Sequence, residues 1–127
     1  MTAFLLNPEQ TARCAELRTL AAERLRPLAE KGEPGHVNRP LVTALGEFGL
    51  LDGLFEGGGA GAGPPGGASS GALDLCLTRE SLAYACTEAE TAFALQGLGA
   101  HPVHAHGTPE QRERWLPPVR AGHAVAA

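Results

Sequence analysis

The sequence is poor in the residues from which β-structure is built. Aromatics supply only 5% of it and β-branched residues are scarce, so a sandwich or barrel is hard to assemble. The apolar fraction of 43% is ordinary, but alanine and leucine carry much of it, which favours helix. A basic cluster is missing too. With a formal charge of −4, that argues against nucleic acid and against an anionic membrane surface as partners. No run approaches the roughly 18 apolar residues of a membrane span. The opening MTAFLLNPEQ lacks a basic segment, and its apolar run is too short for a secretory leader. The three cysteines, Cys14, Cys76 and Cys86, are odd in number and lack C-x-x-C spacing, so buried reduced thiols are the expectation. At 127 residues the chain amounts to one domain with a modest core, read as soluble and cytoplasmic.

Helix signals are plentiful. Asn7 is placed to cap, Pro8 suits the first helical position, and Gln10 completes a capping box. Leu17, Leu20, Ala21, Leu25 and Leu28 then recur at helical steps. Pro27 should kink or interrupt this helix near its end, with Lys31-Gly32 closing it. A second helix is expected from Asn38, with Leu41, Leu45 and Phe48 inward and Gly46 and Gly49 allowing close packing. A third runs from Ala72 to about Ala85, with Leu73, Leu77, Ala83 and Tyr84 near one face. A fourth covers Glu88 to about Ala100; being apolar on more than one side, it should be the central helix. Thr108-Pro109-Glu110-Gln111 opens a fifth, ending at Trp115-Leu116 because Pro117-Pro118 forbids continuation. The last residues read as a chain on its way to a strand. The expected fold is all-α, an up-and-down bundle of about five helices with a Gly/Pro-rich connector at about 57–71.

Few residue clusters suggest chemistry. GAGPPG, Gly61 to Gly66, spells the G-x-G-x-x-G of dinucleotide loops. No strand precedes it, however, and Pro64 and Pro65 remove donors that a phosphate would need. Eight of the fifteen residues from Gly57 to Gly71 are glycine, so the segment reads as a connector. His101, His104 and His106 have spacings that do not place three imidazoles on one helical face, and no carboxylate or cysteine lies close by to complete a metal shell. Glu80, Glu88 and Glu90 read as a solvated face rather than paired acid/base groups. Ser81 and Cys86 lack a neighbouring base. Residue types and spacing thus identify no catalytic, flavin-binding or metal-ligating residue.

Taken in order, the segments AAERLRPLAEK, LVTALGEFGLLDGL, RESLAYA, GLGAHPVHAHG and above all GTPEQRERWLPPVRAGHAVAA resemble the N-terminal helical domain of the acyl-CoA dehydrogenase family. The resemblance spans nearly the whole chain, 1–127. It departs where family members carry a Pro-Glu-x-x-Gly-Gly type segment and this chain reads FEGGGAGAGPPGGASSG. It departs again at Arg79, where an acidic residue is common. Family members continue into a β-domain that contacts the flavin and a C-terminal helical domain that usually carries the catalytic glutamate; neither is found within these residues.

The resemblance implies a complete enzyme that dehydrogenates an acyl-CoA thioester at its α,β bond, a glutamate taking the α proton and FAD the hydride. This chain alone is then expected to be inactive and free of FAD. Its partners would be the acyl-CoA substrate, the β- and C-terminal domains, or a second copy. Glu90, Thr91, Ala94, Leu95 and Leu98 would contribute an acyl-pocket wall, or the same face would simply pack against the other domains. A bulky Leu95 facing the slot would favour shorter acyl groups. A stand-alone, non-catalytic helical interaction module is the alternative.

Overall fold

The computed structural model describes residues 5–55 and 71–127. Most of the connector, with the G-x-G-x-x-G stretch, lies outside the described residues; Gly71 already belongs to the helix that follows. Among the described residues there is no strand. The elements are α1 (Pro8–Leu20), continued by a π-turn (Ala21–Leu25) and α2 (Arg26–Glu30) into a single rod, then α3 (Arg39–Glu47), a 3₁₀ turn (Asp52–Leu54), α4 (Gly71–Ala85), α5 (Thr87–His106) and α6 (Pro109–Arg120). With the rod counted once, these are the five helices that the patterning predicts.

Local chemistry explains the ends. Asn7 Oδ1 accepts the Gln10 N–H at 2.8 Å while Gln10 Oε1 accepts the Asn7 N–H at 2.9 Å, and Thr108 and Gln111 repeat this reciprocal box at α6. The π-turn sits just ahead of Pro27. That residue has no N–H for the carbonyl of Glu23, and its ring would crowd it. The helix widens instead, and the Arg26 N–H reaches back to the Ala21 carbonyl. The rod therefore passes its proline without ending. Arg26 then donates from Nε to the Ala85 carbonyl at 2.7 Å, capping the C-terminal end of α4 with a cation.

The rod and α4 run side by side in the same direction, since Arg13 meets Asp74 and Thr78 while Arg18 meets Glu80. The α4–α5 pair folds back at Cys86, whose extended backbone separates the two helices. One core cluster joins Ala21 and Leu25 of the rod, Leu41 and Leu45 of α3, Leu82 of α4, and Ala89 and Phe93 of α5. A second, smaller one joins Phe55, Ala100, Leu116 and Val119. Each fully buried leucine or phenylalanine contributes about 1.5–3 kcal/mol, so the first cluster dominates. Helix α5 takes part in both and packs against α2, α3, α4 and α6, the central position its composition suggests.

Several expectations are corrected. Of the three cysteines, only Cys86 is buried; Cys14 is half-buried and Cys76 is exposed. Helix α6 continues through Pro117-Pro118 to Arg120. The two prolines deprive only the carbonyls of Glu113 and Arg114, whose residues are exposed, and their own carbonyls accept from Ala121, His123 and Ala124. Helix α5 runs past Ala100 to His106 with Pro102 inside it. The buried face of α4 is Thr78, Ser81, Leu82 and Ala85, while Leu73 and Tyr84 are exposed; the Thr78 hydroxyl accepts from Arg13 of the rod, and Leu82 joins the cluster of Ala21 and Leu25. Phe48 is exposed beneath the Arg24 guanidinium, 5.5 Å from its ring centre.

Gly46 has the close contact that its place in α3 suggests. A Cβ there would fall within the backbone of Ala121, and one on Gly122, where φ is +73°, would meet the Val42 carbonyl. Thr43 Oγ1 donates to the Gly122 carbonyl at 3.1 Å across this seam. Replacing Gly46 by alanine should therefore cost about 2 kcal/mol in stability through overpacking. Gly53→Ala, with open space around it, should stay within about 0.5 kcal/mol of the parent. Denaturant unfolding followed by circular dichroism measures both, and equal midpoints for the two variants would refute the packing argument.

Candidate functional site

Helix α5 divides into two faces. Ala89, Phe93, Gln96 and Ala100 form its buried stripe, with Gln96 only 1% exposed. That amide is fully used: Nε2 donates to the Val119 carbonyl at 3.3 Å and to the Ala124 carbonyl at 3.0 Å, and Oε1 accepts the Ala126 N–H at 2.7 Å. Gly99 lets the backbone of Ala126 and Ala127 lie directly against the helix, and Gly97 does the same for the side chain of Leu54. The residues after α6 thus run along α5 as a pinned extended segment, without forming a strand.

The other face of α5 opens on a groove of about 510 Å³. All five residues expected to form a pocket wall, Glu90, Thr91, Ala94, Leu95 and Leu98, line it. Leu54 backs Gly97 on the floor, Leu75 and Arg79 of α4 contribute the far side, and His101 lies at the opposite end from Glu90. Between Glu90 and His101 the helix rises about 16 Å. Leu95 and Leu98 are 51% and 72% exposed, an unusual placement for two large apolar groups so near each other. Thr91 and Leu95 also border a second groove of about 850 Å³, which Val37, Leu41, Val42 and Val125 line on its other side. Leu95 therefore stands on a ridge between two hollows.

One ion pair marks the smaller groove. Arg79 donates from Nε to Glu90 Oε1 at 2.6 Å, with the Glu90 side chain 16% exposed and that of Arg79 50% exposed. The other two glutamates that the sequence groups with Glu90 point elsewhere. Glu80 pairs with Arg18 at 3.7 Å on the outer surface, and Glu88 receives the Cys86 thiol at 3.7 Å. Burial pushes that thiol's pKa up, opposed by the Ala89 N–H, so it is a poor nucleophile. The three carboxylates do not form a catalytic pair.

The histidines also separate. His101 lines the groove, His106 is exposed, and His104 packs edge-on against Phe55 with ring centres 5.4 Å apart. Arg120 lies over the same Phe55 ring. Among the described residues, no group of three or more histidine, cysteine, aspartate or glutamate side chains is placed to hold a metal ion, and no helix is long and apolar enough to cross a membrane.

Sequence reasoning missed Gln96 and the far side of the groove. A lone amide on an otherwise apolar or small stripe, seven residues beyond Ala89, was the available signal for Gln96. Leu54, Leu75 and Arg79 come from other elements, and no local spacing joins them to α5.

Residues 7–123 match the family model described as Acyl-CoA dehydrogenase, N-terminal domain.

The surroundings of His104 yield a test. Burial, and after it the charges of Arg120, Arg112 and His101, lower its pKa from the ordinary 6.5. The folded chain therefore takes up this proton later than the unfolded chain does as pH falls. The stability tied to a neutral His104 is complete above about pH 6.5 and drains away on acidification. Thermal melts between neutral and mildly acidic pH should fall less steeply for His104→Gln than for the parent; identical slopes would refute the assignment.

Proposed function

The chain belongs to the acyl-CoA dehydrogenase family, and from that premise we propose that its α4–α5 groove forms one wall of the slot that receives the acyl group of an acyl-CoA thioester. The observation that carries this reading is the convergence of Glu90, Thr91, Ala94, Leu95 and Leu98 on a single groove with an apolar middle. An alkyl chain laid against Leu95 and Leu98 would remove exposed apolar surface from water on both partners, the ordinary driving force for such binding. Thr91 and Ala94 are small enough to let the chain approach the helix backbone.

In the family's reaction FAD supplies the acceptor for the hydride leaving the β carbon. The groove does not fit that group. Its lining begins on α5 at Glu90, whose N–H is already bonded to the Cys86 carbonyl, and a pyrophosphate needs the free donors of a helix start. The carboxylate within it, Glu90, is committed to Arg79. In this reading the chain by itself neither retains flavin nor turns over substrate, and its role is to shape and dry the acyl slot. Its outward leucines would be covered by substrate together with further domains or a second copy.

A two-dimensional amide NMR titration of the ¹⁵N-labelled chain with octanoyl-CoA tests this, because it reads weak binding residue by residue. Shifts should concentrate at Thr91, Ala94 and Leu98, and free CoA should not reproduce them. Leu98→Asp should abolish them while leaving stability within about 0.5 kcal/mol, since the side chain is largely exposed. Shifts confined to other surfaces, or equal shifts with CoA alone, would overturn the proposal.

A further inference from the structure

Two buried nitrogens near the C-terminal end of α5 have no partner. His104 Nε2 and Arg120 Nε are both shielded from solvent, and neither meets a hydrogen-bonding group among the described residues. Their side chains flank Phe55, the imidazole edge-on at 5.4 Å and the Arg120 guanidinium also 5.4 Å from the ring centre. Arg112 and His101 stand near enough for their charges, with that of Arg120, to act on His104. The carboxylates that form ion pairs do so elsewhere: Asp74, Glu80 and Glu90 with Arg13, Arg18 and Arg79, and Glu33 with His36. Among the described residues, Arg112 and Arg120 therefore have no ion-pair partner.

We infer that this cluster is a binding site for a phosphate group, held by Arg112, Arg120 and His104 between the end of α5 and α6. A buried N–H without an acceptor is costly, and cations gathered without a carboxylate repel one another. A water molecule would satisfy the nitrogens but leave the repulsion standing. An oxyanion answers both demands, and the Phe55 ring beside it keeps water from weakening the attraction. Three side chains from two helices call for acceptor oxygens on more than two sides, which a tetrahedral phosphate has and a planar carboxylate lacks. The end of α5 and the start of α6 meet at Gly107. Their opposite partial charges offset each other there, so the side chains decide the sign of the site.

Inorganic phosphate and methyl phosphate, each titrated into the chain against sodium chloride at matched ionic strength, test the claim by NMR. The His104 ring and the amides around Arg112 and Arg120 should shift and saturate. The His104 pKa should rise, because a bound anion favours the imidazolium. Arg112→Ala and Arg120→Met should each weaken binding about tenfold, the loss of one charge-assisted hydrogen bond. Arg39→Ala, on the exposed side of α3, should leave it unchanged. If Arg120→Met loses its helical circular dichroism, Arg112→Ala, at an exposed position, decides alone. Equal binding of the two ligands assigns the site to a phosphate ester, and binding of inorganic phosphate alone assigns it to the free ion. Shifts that fail to saturate, the same shifts from chloride, or affinity indifferent to the arginine variants would overturn the inference. None of its three residues contacts the acyl groove, so that result leaves the acyl-slot reading standing.

Discussion

The Gln96 side chain is the point on which the arrangement of α5 depends. A buried amide must find partners for its two donors and its oxygen, and Gln96 finds them in the carbonyls of Val119 and Ala124 and the N–H of Ala126. Three backbone groups beyond the middle of α6 are thereby satisfied from a helix more than twenty residues earlier. Each bond is worth about 1 kcal/mol net, but an apolar replacement would strand buried backbone groups at a greater cost. Gln96 also lies between the two hydrophobic clusters, with Phe93 in one and Ala100 in the other. It joins them where neither has apolar surface to spare. With the inner face of α5 held in this way, the outward side chains have a fixed platform.

The same clamp explains why the C-terminal residues follow α5 as an extended segment. The Schellman-type turn at Gly122 redirects the chain, through the His123 N–H to the Pro118 carbonyl at 2.9 Å and the Gly122 N–H to the Val119 carbonyl at 3.1 Å. Gly46 and Thr43 of α3 receive that turn. Gln96 then takes up Ala124 and Ala126. Local turn chemistry, close backbone packing and one buried amide act in series, and Val125 is left lining the larger groove.

Much of this was legible from local patterns, and the failures share a cause. The capping boxes at Asn7 and Thr108 depend on residues three apart, so sequence alone locates those helix starts. The stripe of Leu17, Ala21 and Leu25 likewise needs only helical periodicity. Pro27 and Pro117-Pro118 were harder: whether a proline ends a helix depends on whether the deprived carbonyls find water or a widened turn, which is settled in three dimensions. The inner face of α4 was misjudged because its partner, the rod, offers Arg13 to the Thr78 hydroxyl and Ala21 and Leu25 to the cluster that holds Leu82, while Arg18 lies over the ring of the exposed Tyr84. For the groove, Glu90, Thr91, Ala94, Leu95 and Leu98 were legible only through the family resemblance, since helical spacing alone singles out no face of so apolar a helix. Arg79, eleven residues from Glu90, comes into contact only through the reversal at Cys86.

The composition of α5 follows from two demands on one helix. Neighbours must approach its backbone, which calls for Ala89, Ala92, Gly97, Gly99 and Ala100. Its outer face instead carries side chains that project, Leu95 and Leu98. Burying a leucine completely is worth about 1.5–3 kcal/mol, and a self-sufficient bundle would have turned these two inward. Leaving them half or more exposed forgoes that stabilisation within the isolated fold and keeps it available to whatever covers the groove. The small residues make the sacrifice tolerable, because they draw α3, α4 and α6 close enough for the remaining core and the Gln96 clamp to hold the helix without it. Close packing on one face and exposed apolar surface on the other are therefore set by the same alternation of small and large residues along twenty positions.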